Sequence, residues 1–133
     1  MIKEFVKKWD KYKKDLEDYF RNTNQEEYDE YEEIVKKLFE KVINRDDEEF
    51  DVENMLIIDD GDYQGTKIFI LHRAIYQPDI EDYVYTNTYY GSCSGCDTLQ
   101  SFSTWGLPSE EQIKDYMDLA LHLLQKCKYM LEE

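Results

Sequence analysis

No stretch of this chain approaches the ~20 consecutive apolar residues of a membrane-spanning helix. The amino-terminal segment MIKEFVKKWDKYKK breaks every apolar pair with charge, so it is not expected to act as a secretory signal. Cysteine is scarce: three residues, with only Cys93 and Cys96 close together, cannot build a secreted disulfide framework. Positive charge is scarce too, with 16 basic against 31 acidic residues and a net charge of -15. Binding to a nucleic-acid backbone needs Lys and Arg to neutralise phosphates, so nucleic acid is disfavoured as a direct ligand. No G-x-S-x-G elbow, H-E-x-x-H pair, Walker loop or dinucleotide fingerprint is present. With two histidines and no recognisable nucleophile, no catalytic residue is assigned. These absences predict a soluble, cytoplasmic protein that does not act on membranes.

What remains is enough for one domain, spanning residues 1–133, with a real core. Hydrophobic residues make up 41 % of the chain and aromatic residues 15 %, including twelve tyrosines. Tyrosine buries a large ring while keeping a hydroxyl for water or a partner. The net charge far exceeds the magnitude of ~2–8 that suits a small soluble domain, so the surface repels itself.

Apolar residues at spacings of three and four (Phe5, Val6, Trp9, Tyr12, Leu16, Tyr19, Phe20) predict a first helix over 2–20. Thr23 with Glu26, or Asn24 with Glu27, offers a capping box for a second helix over 25–43. Period-two patterning then replaces the helical period. Residues 54–59 (NMLIID), 66–72 (TKIFILH) and 82–90 (DYVYTNTYY) predict three strands in an antiparallel meander. Asp97 with Gln100 could start a short helical turn, and Ser109 with Gln112 launches a terminal helix to about 131. Its apolar face is widened by Leu119, Leu121 and Leu123, which implies deep burial or contact with another subunit. The expected fold is α+β in the order α-α-β-β-β-α.

The most unusual stretch is YYGSCSGCDT, residues 89–98. The spacing of Cys93 and Cys96 lets two thiolates reach one tetrahedral zinc ion, with Asp97, His72, His122 and Cys127 as the remaining candidate ligands. On a helix His122 and Cys127 would sit about 140° apart, which makes joint ligation awkward. The same two thiols could form a reversible disulfide, or be small buried groups in a glycine-shaped loop. Gly91, Ser92, Ser94 and Gly95 could instead form a nest of amides and hydroxyls for an anion. A zinc- or ligand-binding protein centred on this loop is therefore one reading.

The charge distribution suggests another. Residues 1–14 carry net +4 and residues 15–49 net -9, and EEYDEYEE (26–33) sets six carboxylates around two tyrosines. Acidic charge steers a basic partner and aromatic rings anchor it. Glu26, Glu27, Tyr28, Glu30, Tyr31 and Glu33 are the expected interface, and the expected partner is a protein whose basic groove otherwise holds nucleic acid. Residues 90–97, YGSCSGCD, resemble a stretch found in small acidic proteins of bacteriophages and prophages. That resemblance implies a phage accessory protein that modulates a host protein, and it carries no catalytic residue with it. A structural oligomer joined through the terminal helix is the third reading. No cofactor is expected, with zinc on Cys93 and Cys96 as the alternative; Asp59, Asp60 and Asp62 offer oxygen ligands for Mg²⁺ or Ca²⁺ but lack the spacing of a calcium-binding loop.

Overall fold

A computed structural model describes residues 2–46, 50–93, 95 and 97–131. Helix α1 (Lys3–Asn22) buries Phe5, Trp9, Leu16 and Phe20 as one stripe, as their spacing requires. A 3₁₀ turn (Gln25–Tyr28) follows, and α2 (Tyr31–Leu38) runs on as a π turn (Phe39–Ile43). The single helix expected over 25–43 is thus broken at residues 29 and 30. Long-range bonds decide the break: Gln25 N–H donates to Gly106 O at 2.9 Å, and the Tyr28 hydroxyl donates to Phe20 O at 2.8 Å. Neither expected capping box forms there. Asn24 makes no side-chain cap, and the Glu26 carboxylate accepts instead from the Gly106 amide.

Strands β1 (Leu56–Asp59), β2 (Gly65–His72), β3 (Tyr83–Tyr90) and β4 (Lys128–Tyr129) form one antiparallel sheet in the order β1-β2-β3-β4. Between β3 and β4 lie α3 (Thr98–Phe102) and α4 (Glu110–Gln125). The fold is α+β, but with two helices on each side of the first three strands in sequence and a fourth strand, not the predicted α-α-β-β-β-α. Asp97 caps α3 through Gln100 N–H, and Ser109 and Gln112 form the expected box on α4. The terminal helix stops at Gln125 rather than near 131. Two residues are too few to show a period, so β4 is created by its pairing: Val84 opposes Tyr129, and Met130 N–H reaches Tyr83 O at 2.9 Å.

Helices pack on one face of the sheet. Phe69, Leu71 and Val84 point into the cluster built by α1, α2 and α4, and the Thr86 hydroxyl donates to Leu123 O at 2.7 Å. Ile113, Tyr116, Leu119, Ala120, Leu123 and Leu124 of α4 are all buried, with Leu121 half-buried. The wide apolar face is therefore consumed inside the chain, which removes the reason for assigning it to a subunit contact. Among the described residues, no helix is long and apolar enough to cross a membrane.

Within this core sits a polar clasp. The fully buried Gln25 accepts from Thr104 N–H at 3.0 Å and from the Tyr116 hydroxyl at 2.8 Å, while its amide donates to Thr104 Oγ1 at 3.1 Å. The ring of Tyr116 lies 4.8 Å from those of Tyr28 and Phe102. Gln25→Leu would orphan the Thr104 amide and should lower unfolding free energy by about 1–3 kcal/mol, read from urea denaturation. Burial also raises the hydroxyls of Tyr28, Tyr31 and Tyr116 and pushes the Cys127 thiol up to about 12. Groups with raised folded values stabilise the fold below their unfolded values, ~8.5 for Cys and ~10 for Tyr, and that stabilisation fades as pH climbs. Thermal unfolding should therefore move to lower temperature above about pH 9, and the three buried tyrosines should ionise only with unfolding. Early ionisation of all twelve, followed by tyrosinate absorbance, would contradict their burial.

Candidate functional site

Two acidic stretches far apart in sequence meet at one end of the molecule. Glu30 occupies the N-cap position of α2, and Glu32 and Glu33 lie in its first turn, where the helix dipole favours carboxylates. The turn from β1 to β2 brings Asp59, Asp60 and Asp62 to the same end. Gly61 makes that turn possible, because a Cβ there would fall 1.9 Å from Gln64 O. Asp59 accepts from Gly61 N–H at 3.0 Å and from the Tyr90 hydroxyl, and Asp60 accepts from Thr66 N–H at 2.6 Å.

Lys67 links the two stretches. It points from β2 toward the helices with its side chain only 15 % exposed. Its Nζ lies 3.2 Å from Glu32 Oε1, 4.0 Å from Glu30 Oε2 and 5.3 Å from the Tyr90 ring centre. Partial enclosure and then the charge of Glu32 raise the Glu30 carboxyl, although its side chain keeps 62 % of its surface in water. Asp59 is held below the usual carboxylate range, first by the Tyr90 hydroxyl and then by the Gly61 amide. The Tyr90 hydroxyl is pushed up to about 12, chiefly by that same bond, with Asp59, Asp60 and Asp62 adding repulsion.

A cleft of about 220 Å³ opens here between Asp29, Glu30, Lys67, Tyr90, Gly91 and Asp97. The Gly91 amide is already taken, donating to Asp97 Oδ2 at 2.8 Å, and Asp97 Oδ1 accepts from the Tyr31 hydroxyl and Gln100 N–H. Of the anion nest expected on Gly91, Ser92, Ser94 and Gly95, the first amide therefore serves a carboxylate, in a cleft walled by further acids. Ser92 and Gly95 are exposed, while Ser94 lies outside the described residues. Cys96 also lies outside them, so the zinc pairing with the exposed Cys93 falls on a position that is not described. Cys127 is buried with its thiol directed to Leu123 O, and His72 Nδ1 lies 2.8 Å from Arg73 O. No three His, Cys, Asp or Glu side chains gather as a metal site among the described residues.

The second feature is the sheet face turned away from the helices. Ile58, Ile68, Ile70, Tyr85 and Met130 line a shallow depression of about 250 Å³ on it. Pairing in register places Leu56 beside Ile70 and Ile58 beside Ile68, so the apolar rows run directly into the acidic turn. The period-two pattern of β2 and β3 could have revealed this face in the sequence, but nothing there said which face the helices would leave open.

The expected interface is partly corrected. Tyr28 and Tyr31 are buried, their hydroxyls bound to Phe20 O and Asp97, so they cannot anchor a partner. Glu26, Glu27 and Glu30 remain exposed, and Glu33 lies 3.8 Å from Lys36. Comparison of the chain with protein-family models, curated proteins and solved structures finds no match.

Lys67→Met would leave Glu30 and Glu32 facing each other without the ammonium group. It should cost about 1–3 kcal/mol of stability at neutral pH. A carboxyl with a raised folded value stabilises the fold only while protonated, so part of the loss should return as pH falls toward about 5. A denaturation midpoint equal to the parent's at both pH values would show that the two acids do not depend on this lysine.

Proposed function

We propose that this chain acts by binding another protein, docking its acidic end and the adjoining open sheet face onto a basic surface of the kind that otherwise holds nucleic acid. The observation that carries this reading is the approach of Glu30 and Glu32 to Lys67, whose neighbour Tyr90 binds Asp59 at the turn that also holds Asp60 and Asp62, on a sheet whose other face is apolar. The carboxylates supply long-range steering, and the apolar rows supply the desolvated contact that charge alone lacks. Ile58, Ile68, Ile70 and Tyr85 take the anchoring role first given to Tyr28 and Tyr31. The YGSCSGCD resemblance adds support for a phage accessory role, with a host protein as the target.

The test is capture from a cell lysate on immobilised chain, repeated with free DNA as competitor. Basic nucleic-acid-handling proteins should be retained, displaced by DNA, and released as salt rises from about 0.05 to about 0.5 M. Replacing Glu27, Asp29, Glu30 and Asp62 by Lys should reduce retention by about ten-fold or more. Retention indifferent to both the DNA and the four substitutions would overturn the proposal.

A further inference from the structure

The two edges of the sheet are built differently. β4 is two residues long and carries the exposed Lys128, which are two ordinary defences against unwanted strand pairing. β1 has neither lysine nor proline, and Leu56, Ile57 and Ile58 are 56 %, 37 % and 43 % exposed. Among the described residues it pairs with β2 alone.

The direction of its unused backbone groups follows from the ladder. Asp60 N–H donates to Thr66 O at 3.2 Å, and Asp59 opposes Lys67. Antiparallel pairs alternate between mutually bonded and non-bonded, so Leu56 and Ile58 bond to β2. The amides and carbonyls of Ile57 and Asp59 then face outward, at the spacing a further strand requires.

Charge selects the occupant. From residue 46 to residue 62 the sequence holds nine acids and no base. Pairing β1 with β1 of a second copy would bring two acidic β1 ends (Asp59, Asp60 and Asp62) together, adding to the repulsion between chains of net charge -15 each. The same acids favour a strand bearing Lys or Arg. We propose that β1 receives an extended segment of the partner as a fifth strand, alternating apolar and basic residues. Its apolar side chains continue the rows of Leu56 and Ile58 on the open face, and its basic side chains lie on the other face, where β1 presents Asp59. This rests on the reading of the chain as a binder of a basic protein, and it specifies how that partner is held.

The probe is a short synthetic peptide alternating valine and lysine, compared with one alternating valine and glutamate. Binding of the lysine peptide should slow hydrogen exchange of the Ile57 and Asp59 amides by about ten-fold or more, while the glutamate peptide leaves them unchanged. Ile57→Pro removes an outward amide without removing a bond to β2, and should weaken the lysine peptide by about ten-fold or more. If that variant fails to fold, the exchange pattern of the parent chain decides alone. Failure of the lysine peptide to bind, binding that leaves Ile57 and Asp59 exchanging freely, or sedimentation showing that the edge pairs with a second copy would overturn the proposal. Loss of the lysate partner in the four-lysine variant but not in Ile57→Pro would overturn strand addition while leaving the docking reading intact.

Discussion

The ammonium group of Lys67 lies where β2, the start of α2 and the end of β3 meet. Glu30 and Glu32 approach from one side, and Asp59, through Tyr90, from the other. Without a cation between them, helix and turn would repel at the spacing that the core imposes. With it, the carboxylates are drawn together and still leave a large negative excess at the surface. The charge that opposes folding is thus gathered where it can serve recognition.

Tyrosine does a different job from the one its abundance first suggests. The hydroxyls of Tyr28, Tyr31 and Tyr116 satisfy backbone or side-chain groups inside the molecule: the carbonyls of Phe20 and Thr23, the Asp97 carboxylate and the Gln25 amide oxygen. Phenylalanine at these positions would strip each of those buried groups of one hydrogen bond. The rings that look like anchors in EEYDEYEE are the means by which the amino-terminal half is locked to the carboxy-terminal half.

In the proposed docking, the apolar anchor accordingly lies on the sheet and not on the helix. A sheet packed by helices on one side presents its other side to solvent, and here that side is apolar in the rows of β1 and β2. Strong like charge around it discourages association between copies of the chain while leaving a basic partner admissible.

Much of the fold was legible residue by residue. The Phe5, Trp9, Leu16 and Phe20 stripe defined α1, the alternation in DYVYTNTYY defined β3, and Ser109 with Gln112 marked the start of α4, because each signal is local. The net charge and the acidic stretches were equally plain. Tertiary structure alone decided the rest. It broke the second helix, because Gln25 and Tyr28 bond across the molecule, and it made β4, because two residues have no period of their own. It turned Tyr28 and Tyr31 inward, since helical spacing places a residue on a face without saying what covers that face. It also brought Glu30 and Glu32 to Lys67, since proximity across that separation depends on how β2 and α2 pack, which no local pattern encodes.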